Sequence, residues 1–142
     1  SGVTVLTTRT GATDHGMTVS AFCSLSLEPP LVLACIDRQA DLHAVLVPGL
    51  PVVFNILSGH QEALSRRFSE LDGSRRFDGI GVTRDPRGIV VLNDILARLE
   101  CTLSARFDGG DHSIFVATVD AASVTDLRPL LFYRGGYAEL ER

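Results

Sequence analysis

From Met17 to Leu27 the chain alternates. Met17, Val19, Ala21, Cys23, Leu25 and Leu27 are apolar or small, while Thr18, Ser20, Ser24 and Ser26 carry hydroxyls and Phe22 a ring. Side chains alternate across a strand, so the stretch reads as one strand with an apolar face and a hydroxyl-bearing face. Serine is a poor strand former, and an ordinary wet face favours Thr, Lys, Glu or Arg. A row of small hydroxyls lets a ligand approach the backbone and offers it donors and acceptors. The pattern therefore points to a strand that faces a ligand.

The same patterning extends along the chain. Gly2 to Thr8 reads as a first strand, turned by TRTGATDHG into the hydroxyl-bearing one. Pro29 and Pro30 end the latter, since neither donates to a ladder. LVLACID (residues 31–37) and PVVFNIL (residues 51–57) are nearly continuous apolar runs, as expected of strands buried on both faces. Asp41 reads as the cap of a short helix through Val47, ended by Pro48 and Gly49. Ser58 with Gln61 makes a capping-box pattern, and Leu64, Phe68 and Leu71 recur at helical spacing, predicting a helix from Gly59 to Leu71. Residues 72–88 read mostly as loop. Ile95 to Phe107 alternates as a long half-buried strand, Asp108-Gly109-Gly110-Asp111 as its hairpin turn, and Ser113 to Val119 as a buried return. Pro129 to Tyr133 reads as the last strand.

Roughly seven strands with two helices predict a mainly β protein, an antiparallel barrel with short helical connections. Residues 1–142 read as one domain, without repeats or linkers. A doubly wound sheet would need helices between most strands, and the spacing does not supply them.

Composition narrows the chemistry. With a net charge of -4 no basic patch follows, which argues against nucleic acid as a partner. All 13 basic residues are arginine, so a Schiff-base lysine, a P-loop lysine and a Ser-Lys dyad are excluded. Cys23, Cys35 and Cys101 sit in apolar settings and form no C-x-x-C, which reads as buried, reduced thiols in a cytoplasmic protein. No apolar run is long enough for a membrane span. No signal peptide is evident, and the chain opens directly into a strand without an initiator Met, so its N-terminus reads as trimmed. The signatures G-x-G-x-x-G, H-E-x-x-H and G-x-S-x-G are missing, and His15, His43, His60 and His112 lack metal-ligand spacing.

Candidate chemistry is scattered over strand ends. Asp37, Arg38, Gln39 and Asp41 follow a buried strand, where amides and a guanidinium hold a phosphate or merely form a turn. His112 opens a buried strand, at a barrel mouth or in a solvated turn. Tyr137 follows two glycines and either covers a pocket or closes the core. Phe77 is a loop anchor or a pocket wall. Asn55, inside an apolar strand, needs partners for its amide, from backbone or ligand.

Taken in order, GVTVLTT, GMTVSAFCSLSLEPPLVLACIDR, FNIL, RRF, RFDGI, GGDHSIFVATV and PLLFYRGGY resemble the short-chain flavin reductases, reductase components of two-component flavin-dependent monooxygenases. The match covers nearly the whole chain, lacking the helix that precedes the family's first strand. The resemblance implies an FMN-binding split barrel, usually a homodimer with flavin near the subunit interface. It places Thr18, Val19, Ser20 and Ala21 along the isoalloxazine and ribityl chain, and Cys35, Ile36, Asp37, Arg38, Gln39 and Asp41 at the phosphate end. Asn55 and Phe77 complete the implied flavin set, and His112, Arg134 and Tyr137 the nicotinamide set. The family often has small hydroxyl residues where this chain has Gln39 and Asp41, and an aspartate repels a phosphate unless it points away or caps a helix.

The implied activity is NAD(P)H:flavin oxidoreduction, with FAD or FMN and with NADH or NADPH, feeding a flavin-dependent monooxygenase. No residue is implied as an acid or base, because the cofactors carry the chemistry. The alternatives are a flavin carrier or sensor on the same barrel without NAD(P)H turnover, and a relative holding another redox cofactor.

Overall fold

In the computed structural model, which describes residues 2–140, one sheet forms the body of the molecule. The strands are β1 (Thr4–Thr10), β2 (Thr13–Val19), β3 (Phe22–Leu27), β4 (Pro30–Asp37), β5 (Pro51–Ile56), β6 (Val82–Arg84), β7 (Val90–Leu92), β8 (Ala97–Gly109), β9 (His112–Val124), β10 (Leu130–Tyr133) and β11 (Gly136–Glu139). The single α-helix among the described residues, α1 (Glu62–Glu70), follows β5. Seven strands pair in the order β2-β1-β5-β8-β9-β4-β3, every neighbour antiparallel. β6–β7 and β10–β11 are separate hairpins.

β2 and β3 stand at opposite ends of that order, yet only Ser20 and Ala21 separate them in sequence. The sheet therefore curls until its two ends meet at a two-residue bend, giving an antiparallel barrel split along one seam. The predicted continuous strand from Met17 to Leu27 is thus two strands, and the bend shifts the alternation by one. Val19 and Phe22, three residues apart, both turn inward, Phe22 lying 4.8 Å from Phe54 between ring centroids. Just beyond the bend Cys23 points outward and is exposed, contrary to expectation, and Leu27, at the tip of the β3–β4 hairpin, is 92% exposed. A bulge leaves Leu25 unpaired between Ser24 and Ser26.

The apolar run of β5 is buried on both faces as predicted, because two cores flank it. Val52 and Phe54 enter the barrel with Leu6, Ile36, Leu103 and Phe115. Val53 joins Val5, Phe68, Leu92 and Leu130 outside the barrel, beneath α1 and β7. Burying a side chain such as Phe54 is worth about 1.5–3 kcal/mol. β4 was expected to be buried on both faces and instead alternates, with Val32, Ala34 and Ile36 inside and Leu31, Leu33 and Cys35 half-buried. The half-buried face lacks the second cover that β7 and α1 give β5.

Asp41 does not cap a helix. Asp41–Ala44 is one 3-10 turn whose preceding residue, Ala40, offers no side-chain cap, and Gln39 N–H donates instead to Asp37 Oδ1 at 2.8 Å. α1 begins at Glu62 rather than Gly59, although Ser58 N–H does donate to Gln61 Oε1 at 3.0 Å, half of the predicted box. The loop of residues 72–88 carries β6 and a short 3-10 turn, Gly73–Arg75, and β11 follows the strand expected to be last.

β2 runs close under α1. A Cβ on Gly16 would stand 2.7 Å from Phe68 Cε1 and 2.9 Å from Phe77 Cζ, so only glycine fits there. Two carboxylates brace the outside. Asp14 is held below the usual carboxylate range chiefly by Arg84, which bonds it at 2.8 and 2.9 Å, and by Arg9. Burial opposes ionisation of Asp85, but the Ile89 N–H and then Arg87 outweigh it and keep that carboxyl low as well.

Candidate flavin and nicotinamide site

A cleft of about 320 Å³ opens beside the end of β2. Met17 and Thr18 form one wall, Gln39, Ala40, Asp41 and Leu42 a second, and Ser69 of α1 with Arg76 a third. The structure thus brings Thr18 of β2 together with Gln39 and Asp41 of the turn after β4. An adjoining cleft of about 300 Å³ shares Asp41 and Leu42 and is bounded by residues 13–16 and 72–74. Both are at the small end of the ~300–1,000 Å³ range for ligand sites, so each holds only part of a dinucleotide. A larger cavity, about 530 Å³ between β7 and the far ends of β8 and β9, contains none of the residues singled out from the sequence.

Two arginines shape the third wall. Arg67 donates from Nε to Arg76 O at 2.7 Å and from Nη2 to Arg75 O and Asp78 O, clamping the loop after α1. Arg76 donates from Nε to Leu71 O at 2.9 Å and from Nη1 to Gly16 O at 2.8 Å. Its Nη2 takes no part in these bonds, and Arg76 lines the cleft. The sequence reading missed Arg76 and Ser69. The signal was the repeat of RRF at residues 66–68 and 75–77, whose phenylalanines pack edge to face at 5.1 Å.

The expected residues hold different posts. Thr18 Oγ1 donates to Ser65 O at 2.6 Å, so this hydroxyl is spent on α1. Val19 and Ile36 are inside the barrel, and Ser20 and Ala21 are exposed at the seam, where Cys35 N–H donates to Ala21 O at 2.9 Å. Arg38 Nη2 donates to Asp108 Oδ1 at 2.6 Å, while the Asp41 carboxylate finds no partner among the described residues. Phe77 stands behind β2 as an anchor against Phe68. Asn55 is fully buried, and its amide is consumed by Val5 O, Thr7 Oγ1 and Leu92 N–H, at 2.9, 3.0 and 2.9 Å. Asn55 therefore joins β1, β5 and β7 and presents no polar atom to a ligand.

His112 pairs in register with Asp37, and Arg38 N–H donates to Asp111 O at 3.0 Å, so the histidine stands beside the turn that forms the cleft's second wall. Its Nδ1 donates to Asp111 Oδ1 at 2.8 Å, which is the main reason the Asp111 carboxyl lies below the usual range. Tyr137 Oη shares a hydrogen bond of 2.8 Å with Ser65 Oγ, and the Arg66 guanidinium lies 4.8 Å from its ring centroid. Arg134 occupies the β10–β11 turn at φ 53, with its guanidinium 5.4 Å from the Tyr133 ring. The walls of the cleft include none of His112, Arg134 or Tyr137.

A guanidinium, an amide side chain and small hydroxyls beside an apolar patch suit the sugar and phosphate of a nucleotide cofactor, with Asp41 as the one opposing charge. A split antiparallel barrel with that cleft beside the end of β2 has the form of a small cofactor-binding barrel. The particular family is settled by comparison: residues 1–141 match the flavin reductase like domain, and the chain belongs to that family. It is 37% identical over 142 residues to the flavin-dependent monooxygenase reductase subunit HsaB of Rhodococcus jostii, covering 99% of this chain and 72% of that protein. It is also 37% identical to the FMN reductase (NADH) SmoA of Agrobacterium fabrum, over 100% of this chain and 80% of that protein. Among solved structures, the Streptomyces globisporus NADH:FAD oxidoreductase SgcE6, in complex with NAD and FAD fragments, superposes with a TM-score of 0.90. It is 31% identical, covering 99% of this chain and 85% of that one.

Proposed function

We propose that this protein is an NAD(P)H:flavin oxidoreductase that supplies reduced flavin to a partner flavin-dependent monooxygenase. The observation that carries the reading is the cleft itself. In a chain of this family, Thr18 from β2, Gln39 and Asp41 from the turn after β4, and Arg76 converge on one hollow. A bound flavin would supply the hydride-accepting ring and a nicotinamide the hydride. The chain's own part is to bind, orient and exclude water. The exposed seam at Ser20 and Ala21 lets a flat ring approach the backbone, Gln39 and Arg76 hold the phosphate end, and His112 and Tyr137 set the nicotinamide. No side chain moves a proton in this scheme.

The reading includes a homodimer. The free edge strand β3 presents Leu25 and Leu27, 48% and 92% exposed, a patch that a second copy would cover. It also includes a cytoplasmic location, a reading supported by three free cysteines. No helix among the described residues is long and apolar enough to cross a membrane.

The deciding experiment is anaerobic stopped-flow absorbance of the protein with FMN or FAD in turn and excess NADH. Rapid loss of the oxidised flavin band is expected, and the flavin that bleaches faster names the preferred cofactor. Tight binding of either flavin without bleaching, by NADH or NADPH, would make the protein a flavin-binding module and sink the proposal.

A further inference from the structure

The turn after β4 carries Gln39 and Asp41 into the cleft, yet its only helical segment is a single 3-10 turn, too short to hold its own shape. Leu42 of this turn packs into the barrel core with Leu103 and Phe115, and three polar contacts among the described residues fasten the turn to the β8–β9 hairpin. Two are Arg38 N–H donating to Asp111 O, and the Arg38–Asp108 pair, whose side chains are 41% and 91% exposed. An ion pair so exposed contributes little. The third is buried: His43 Nε2 shares a hydrogen bond of 2.8 Å with Ser113 Oγ, the histidine 8% and the serine 0% exposed. The imidazole stands edge-on to Phe115, with ring centroids 5.8 Å apart, and Arg106 lies over the other ring at 5.8 Å.

Ser113 is the residue after His112, on the same strand. The buried bond therefore ties the wall carrying Gln39 and Asp41 to the strand that presents His112. We infer that His43 is a positioning residue, whose bond to Ser113 sets the flavin side of the site against its nicotinamide side. The inference rests on the reductase reading above. His43 touches neither cofactor in that scheme and carries no proton for the reaction.

Arg38 and Asp37 from its own turn, Arg106 from β8, and Asp111 with His112 at the start of β9 are the charged or titratable groups around this joint. Burial, then Arg106 and Arg38, hold the imidazole below its ordinary range, with Asp37 opposing. The working form is the neutral ring.

The test uses the full chain and four variants: His43→Phe, which keeps an aromatic ring against Phe115, Ser113→Ala, the double variant, and His43→Gln, whose amide can bond the serine. Flavin Kd by fluorescence titration, and KM for NADH with kcat, are measured at neutral pH beside a thermal melt. His43→Phe and Ser113→Ala are each expected to raise both flavin Kd and KM by about fivefold, the scale of one net hydrogen bond, with kcat little changed. The double variant should be no worse than either single one, and His43→Gln should recover most of the loss. A lowered melting temperature with both constants unchanged would make the bond merely structural and overturn the inference. Movement of only one constant would overturn it too, since the joint would not couple the two sides. Wild-type protein that binds no flavin and oxidises no NADH would overturn the reductase reading and this inference together.

Discussion

His112 and Asn55 show how differently two polar residues inside apolar strands end up. Asn55 is closed off, its amide shared among three strands. His112 is held by one carboxylate at a turn, with its side chain 40% exposed. The sequence announced only that Asn55 needed partners, because a buried amide must be satisfied whoever satisfies it. Which partners was illegible, since Leu92 belongs to β7, a strand the pattern did not reveal. For His112 the GGD turn placed the residue correctly at the opening of a strand. His112→Ala should raise KM for NADH by about tenfold, the scale of a hydrogen bond to a charged group, and leave flavin Kd nearly unchanged. Steady-state kinetics with a parallel flavin titration decides it, and a collapse of flavin affinity at constant KM would place His112 on the wrong cofactor.

At the scale of elements, long alternation was legible and short corrections were not. The β8–β9 hairpin and the turn between its strands appear nearly where the pattern put them, because a dozen alternating residues outvote any local exception. The stretch from Met17 to Leu27 misled, because a two-residue bend and one bulge shift parity without leaving a proline or glycine to mark them. Leu25, in the bulge, and Leu27, at the hairpin tip, stand exposed on β3, an edge strand with unpaired backbone groups. The proposed homodimer would cover this edge with a second copy. In that dimer, Leu27→Asp should shift the protein from dimer to monomer in sedimentation velocity. A wild-type monomer would overturn the homodimer, and a variant that stays dimeric would move the interface elsewhere.

For the molecule as a whole, pH acts through groups whose folded-state affinity for protons is reduced. The His43 imidazole is held low, so the unfolded chain takes up a proton first as pH falls through about 6.5, and stability drops from there downward. Asp14 and Asp85 are also held low; their contribution is full above the ordinary carboxylate range and is lost as pH falls below about 4. Urea melts across a pH series should therefore show two acid limbs. The upper one should disappear in His43→Gln and the lower one persist; a single limb below pH about 4 in the wild type would contradict the neutral, buried imidazole. The barrel class was legible because it follows from strand count and hairpin spacing, whereas the cleft was not. Its walls come from four segments spread between residues 17 and 76, and only tertiary packing brings them together.

The seam between β2 and β3 has a mechanical consequence. A barrel laddered all the way round can widen only by breaking inter-strand hydrogen bonds, each of which resists. Here the last gap is spanned by the covalent chain, through Ser20 and Ala21, and no ladder joins β2 to β3. The circumference can change by rotation about the backbone dihedrals of these two residues, at the expense of the Cys35 N–H bond to Ala21 O, while the six antiparallel pairings stay intact. Compliance is thus concentrated at the place where a flat ring would have to slide in, and the remainder of the wall stays stiff.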